Sequence, residues 1–263
     1  MRARMVLKRL AIYTLAMALL AVMVYSGTQV VLYLMEGRAQ RQLDNEWGKY
    51  RPSLPDTSAT QPTTPEEPLE SLTINSGVAE AQQENSDVVG WITIPDTRID
   101  YPFVLGKDNS FYLHHNVAKV KASAGALFLD YRTDRDFFNV DYDGGQANAV
   151  IYGHQMKNGS MFADVRKFRE KSYFDTHPEG FIFLPEGTFR VRFFAFVSAD
   201  AYDEQLYGIW SNAAEYMAYA RGREQHGREV SIPDGGKIVV LSTCSYESET
   251  ARAVLLGVVE LVG

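Results

Sequence analysis

The chain holds a single cysteine, Cys244, at the end of the apolar run "KIVVLST", and an arginine, Arg252, inside the next apolar run, "ARAVLLGVV". A lone thiol forms no intramolecular disulfide, so it is either a buried apolar filler or a group kept for chemistry. Cys244 stands where a strand runs into a loop, a position open to solvent. By the period of two of a strand, Arg252 shares a face with Val254, Leu256 and Val258. A guanidinium on an aliphatic face is costly without a partner or a task. Two readings stand for it: a salt bridge at a strand end, or a cation facing the thiol if the two runs lie side by side.

A cysteine nucleophile commonly needs a base or ion-pair partner, and the chain offers 5 histidines. His154 follows "NAVIYG" and precedes "QMKNGSMF", which puts it at another strand-to-loop edge. His114 and His115 in "YLHHN", His177 before Pro178, and His226 before Gly227 read as surface or turn residues. There is no HExxH pairing and no thiolate cluster, so no metal centre is expected. The tract "NVDYDG" opens like a calcium loop, but its twelfth position is Val150, and it reads as an acidic turn. No phosphate-cradling glycine motif is present, so no nucleotide cofactor is expected. A net charge of −7 and a pI near 5.3 exclude bulk electrostatic binding to nucleic acid.

These residues need elements to position them. From Val88 onward, β-rich runs alternate with Gly, Asp, Asn and Pro: "VVGWITI", "ALFLDY", "NAVIYG", "GFIFL", "FRVRFFAFVSA", "KIVVLST" and "RAVLLGVVEL". The pattern predicts a mainly β domain, a closed barrel of seven or eight strands rather than a doubly wound sheet. One helix interrupts it at "SNAAEYMAYARGREQ", 211–225, with Ser211 as N-cap and Ala, Tyr and Met forming an apolar stripe. A further helix is expected within Leu69–Asn85. The Pro-, Thr- and Ser-rich segment Arg51–Pro68 buries too little to fold and reads as a spacer.

From Leu10 to Met35 roughly 26 residues carry no charge, enough for a helix to cross a ~30 Å hydrocarbon core. Arg2, Arg4, Lys8 and Arg9 precede the run and Glu36 follows it, so the positive-inside rule leaves residues 1–9 in the cytoplasm and the rest outside. Helix is expected to continue through Glu36–Lys49. The alternative is a cleaved signal peptide, for which "VYSG" offers small residues. Either way the remainder is exported.

The segments "NSDVVGWITIPDTRIDYPFV", "DNSFYLHHN", "GALFLDYR", "NAVIYGHQMKNGSMFADV" and "VVLSTCSYE" occur in an order that resembles the sortases, membrane-anchored cysteine transpeptidases of Gram-positive bacteria, and among them class B. The family's TLxTC signature appears as "VLSTC", with Val240 in place of the first threonine. The likeness extends over about 85–259, and the helix within 211–225 fits the insertion typical of class B. It implies Cys244 as nucleophile, His154 as acid and base, and Arg252 as donor to the developing oxyanion. It implies a substrate groove lined by Asn109, Leu113, Ser242 and Ser245. Leu113 also reads as core and Asn109 as a turn residue in "KDNS".

The implied activity is cleavage of an NPxTG- or NPxTN-like sorting motif after its threonine through a thioester, then transfer to an amine of a peptidoglycan precursor or a pilin lysine, without a cofactor. The implied organisation is a cytoplasmic tail (1–9), a transmembrane helix (10–35), an extracytoplasmic spacer (36–68) and a catalytic domain (69–263), with exported proteins bearing the motif as partners. Two other readings compete: an exported cysteine peptidase that delivers the acyl group to water, and a membrane-tethered binding or assembly protein of the same fold without activity.

Overall fold

The computed structural model describes residues 2–55, 74–139, 141–244 and 250–262. The chain divides into two compact units, Met1–Glu46 and Trp47–Gly263. The first is formed by helix α1, Arg2–Trp47, which is long and apolar enough to cross a membrane. Its apolar side chains from Leu10 to Met35 are exposed, a surface that suits hydrocarbon rather than water. The helix is unbroken past Glu36, as expected for Glu36–Lys49. Most of the spacer and the first part of the Leu69–Asn85 segment fall in 56–73, outside the described residues.

The second unit begins with a short 3-10 helix, Gly48–Tyr50, and α2, Ser76–Glu84, which buries Val78 and Ala81. The elements β1 (Val88–Thr93), β2 (Asp100–Leu105), α3 (Phe111–His114), β3 (Leu127–Leu129) and β4 (Asn148–Tyr152) follow. After a 3-10 helix at Phe162–Arg169 come α4 (Lys171–Thr176), β5 (Glu179–Leu184) and β6 (Gly187–Asp200). The last elements are α5 (Ala213–Arg221), β7 (Glu224–Gly227), β8 (Lys237–Cys244) and β9 (Ala251–Leu261).

The strands run β5-β1-β2-β3-β4-β8-β9-β6, and a β5–β6 pairing closes the ring into an eight-stranded barrel with β7 added outside on β6. Closure removes the edges that open sheets must protect. Strand β6 serves both functions: Gly187–Arg192 pairs with β5, Ala195–Val197 with β7, and β9 runs along its other side. Two neighbouring pairs are parallel, β2 with β3 and β4 with β8.

The central strands are buried on both faces, which explains their near-continuous apolar sequences. Inside the barrel Phe103, Leu127, Leu129, Ile151, Leu241, Leu255 and Phe193 form the main core. Outside it Val150, Val240, Val254, Leu256 and Val258 meet Leu206, Tyr207, Tyr216 and Met217 from the β6–α5 connection and α5. Burying one such large side chain is worth roughly 1.5–3 kcal/mol.

The seven expected strands are present, together with two that the pattern did not announce. In β2, "DYPFVL", Pro102 argues against a strand, yet the segment lies between β1 and β3. In β7, "EQHG" has no apolar alternation and exists by pairing with β6. The expected helix at 211–225 is shorter. Asn212, not Ser211, is its N-cap, accepting from Ala214 N at 2.9 Å and Glu215 N at 3.1 Å, and Gln225 belongs to β7.

Candidate active site

Strand register brings the chemistry together before any side chain is considered. Strand β8 lies between β4 and β9, and Cys244, its last residue, pairs directly with Arg252 of the antiparallel β9. On its other side β8 runs parallel to β4 with Tyr152 opposite Ser242. The pairing ends there, Gly153 N donates to Ser242 O at 3.1 Å, and His154 follows β4 by two residues. Cys244 and His154 thus both lie toward the C-terminal ends of two neighbouring parallel strands.

Arg252 follows the expected alternation. Val254, Leu256 and Val258 belong to the outer cluster, so Arg252 stands on the outer face where that cluster gives way to a cleft. Its Nη1 donates to Ala251 O at 3.0 Å, and its charge acts on Asp200. The Asp200 carboxyl is held below the usual carboxylate range, first by the Thr250 hydroxyl at 2.7 Å and the Tyr202 amide at 2.9 Å, with Arg252 adding to them.

His154 is half-buried, and its Nε2 lies 2.8 Å from the carbonyl of Leu113. A carbonyl only accepts, so Nε2 carries a hydrogen and Nδ1 is the nitrogen left to exchange a proton. The anchoring carbonyl is itself fixed by a tight approach at Gly125, whose φ is +59°. A Cβ there would lie 2.5 Å from Tyr112 O, 2.9 Å from Leu113 O and 3.2 Å from His154 Cδ2. The loop after His154 is closed by Phe162 N donating to His154 O at 3.0 Å and by Arg98 Nη1 donating to Asn158 O at 2.9 Å.

A cleft of about 700 Å³ opens beside these residues, lined by Asn109, Leu113, His154, Ser242 and Arg252 among others. Five of the seven positions singled out from the sequence therefore share one cavity, Cys244 joins them by register, and Ser245 lies outside the described residues. Asn109 is more than a turn residue: its Nδ2 donates to Asp130 Oδ2 at 3.1 Å and its Oδ1 accepts from Tyr131 N at 2.9 Å. Leu113 lines the cleft half-buried. Ser242 is 2% exposed, and its hydroxyl meets Tyr207 Oη at 3.1 Å. It is part of the wall.

Beneath the cleft lies a polar group that the motif reading passed over. Asp130, fully buried at the end of β3, accepts from Arg132 Nε at 2.7 Å and Nη2 at 2.8 Å, and from Tyr152 Oη at 3.1 Å. Burial works to raise its pKa, but the hydrogen bonds from Arg132 and Asn109 and the charge of Arg132 outweigh it and hold the carboxyl below its usual range. The signal in the sequence was "FLDYR", an acid closing an apolar strand with an arginine two positions on. The other four histidines stand apart from the cleft lining; His226 Nε2, for example, bonds Arg169 O.

No protein-family model matches the chain. Sortase B of Listeria monocytogenes is 32% identical over 250 residues, spanning 93% of this chain and 94% of that protein. A solved Streptococcus pyogenes class B sortase involved in pilus biogenesis superposes with a TM-score of 0.61 at 30% identity, covering 69% of this chain and 97% of that one. Sortase B of Bacillus anthracis gives a TM-score of 0.68 at 25% identity, covering 87% and 100%. The chain belongs to the sortase family, class B, the cysteine transpeptidases whose barrel it shares.

Proposed function

We propose that Cys244, His154 and Arg252 carry an acyl transfer in which the chain cuts an NPxTG- or NPxTN-like sorting motif after threonine. The Cys244 thiolate adds to the threonine carbonyl, Arg252 donates to the oxyanion, and Nδ1 of His154 protonates the departing amine. The resulting thioester is then opened by an incoming amine, whose proton His154 removes. Asn109, Leu113, Ser242 and Ser245 line the donor groove. The acceptor is a peptidoglycan precursor or a pilin lysine.

The observation that supports this reading is the strand order: β8, which ends at Cys244, pairs with β4, which His154 follows, on one side and with β9, which carries Arg252 opposite Cys244, on the other. Topology fits the same chemistry. Residues 10–35 span the membrane with 1–9 in the cytoplasm, 36–68 act as spacer, and 69–263 work on exported proteins outside.

The test is the full chain in detergent micelles with a quenched fluorescent NPxTG-type peptide and triglycine, beside Cys244→Ala, read by mass spectrometry. A triglycine-joined product and a thioester-mass adduct are expected, both absent from the variant. Release of free acid alone would favour a peptidase. No adduct with either NPxTG- or NPxTN-type peptide would overturn the proposed specificity.

A further inference from the structure

The cleft has two walls. Strands β3, β4 and β8 supply Phe128, Tyr152 and Ser242 with Asn109 from the β2–α3 loop, and the β6–α5 connection supplies Ala201, Tyr202, Asp203, Glu204 and Tyr207. Arg132 bridges them: its Nη2 donates both to Asp130 Oδ2 at 2.8 Å on the barrel side and to Tyr207 O at 2.8 Å on the other. The guanidinium holds both carboxylate oxygens through Nε and Nη2 and keeps a second Nη2 hydrogen for Tyr207 O, a planar arrangement that the point charge of an ammonium does not match. The far wall is also fastened from behind, where Asp203 accepts from Tyr219 Oη at 2.7 Å and Leu206 O accepts from Tyr216 Oη at 2.6 Å.

Stability alone gives little reason for such a strut. Only Asp130 is buried: its side chain is 1% exposed against 41% for that of Arg132, and an ion pair screened by solvent on one side contributes little to stability. Asp130 nevertheless collects Arg132, Asn109 and Tyr152, each of which lines the cleft. The reactive end is held by other means: His154 by the Leu113 carbonyl and Arg252 by the β9 register. The strut therefore bears on the shape of the cleft more than on the reacting groups.

We propose that Asp130 is a positioning residue that, through Arg132, holds the Ala201–Tyr207 wall at the separation from the barrel that an extended donor peptide requires. This rests on the reading of the cleft as the donor site. It assigns Asp130 and Arg132 to donor binding and leaves the chemical step to Cys244, His154 and Arg252.

The experiment compares Asp130→Asn, Arg132→Lys, Arg132→Met and the double variant Asp130→Asn/Arg132→Met with the wild type, all as full chains in micelles. Steady-state kinetics on the NPxTG-type peptide is joined to amide hydrogen exchange of 201–208. The expected result is a KM raised about tenfold with kcat within about twofold, the signature of lost donor binding rather than lost transition-state stabilisation. The double variant is expected to be no worse than Arg132→Met, since both changes break one strut. Arg132→Lys keeps the charge beside Asp130 but not the fork, so it should show the same KM defect and faster exchange at Leu206, Tyr207 and Gly208. Full rescue by Arg132→Lys would reduce the pair to a structural salt bridge and overturn the proposal. A fall in kcat at unchanged KM, or unchanged exchange in Arg132→Met, would overturn it as well. If the wild type acts on no donor peptide, the donor-site reading fails by itself, and exchange still decides whether the pair holds the wall.

Discussion

The Nε2 hydrogen of His154 is committed to a main-chain carbonyl, so one backbone atom fixes which imidazole nitrogen is left for the proposed proton transfer. Gly125 protects that arrangement because any side chain there presses on the Leu113 carbonyl and on the ring itself. Gly125→Ala should therefore lower kcat by about tenfold, equivalent to roughly 1.4 kcal/mol of lost transition-state stabilisation. Steady-state kinetics beside a melting curve checks this; a variant that melts earlier yet keeps kcat would show that the glycine serves the fold alone. Asp130 supports a prediction in pH. Its folded pKa lies below the unfolded value of about 3.9, so the native state binds the proton less readily and stability drops as pH falls through the folded value. Thermal midpoints should fall below about pH 4, and less steeply in Asp130→Asn, which has no proton to take up. Neither feature has a motif: Leu113 acts through its main chain, and although Arg132 is two positions from Asp130, the other partners, Asn109 and Tyr152, come from segments about twenty residues away on either side.

At the scale of elements, α5 is a short helix whose first turn depends on one side chain. Asn212 satisfies two amides, so Asn212→Ala should cost about 1 kcal/mol, read as a lower denaturant midpoint at unchanged slope. Ser211→Ala should be nearly silent by the same measurement, in keeping with the position of the cap. The strands that could be read from the sequence are those buried on both faces, where apolar runs such as "KIVVLST" leave little choice. Those that could not are set by neighbours: Pro102 is tolerated in β2, and the polar β7 is made by the free side of β6. The meeting of Cys244 and Arg252 was legible because alternation along "ARAVLLGVV" fixes the face and the two runs do pair. The Ala201–Tyr207 wall was not, because its place depends on hydrogen bonds and ring packing rather than on periodicity.

At the scale of the molecule, Trp47–Gly263 contains its own core, with Trp91, Phe103, Phe193 and Leu255 almost wholly buried. Removing residues 1–46 should leave the denaturant midpoint of this unit unchanged, and a large fall would show that α1 contributes to its stability. The parallel pairing of β4 with β8 has a consequence in time. Between Tyr152 and Lys237 lie the Phe162–Arg169 helix, α4, β5, β6, α5 and β7, so this contact is remote in sequence and slow to form. Such a chain leaves a ribosome or a translocon with its histidine long before its cysteine, and Arg252 follows later still. The proposed reactive centre is thus assembled among the last events of synthesis, when most of the barrel around it has already emerged.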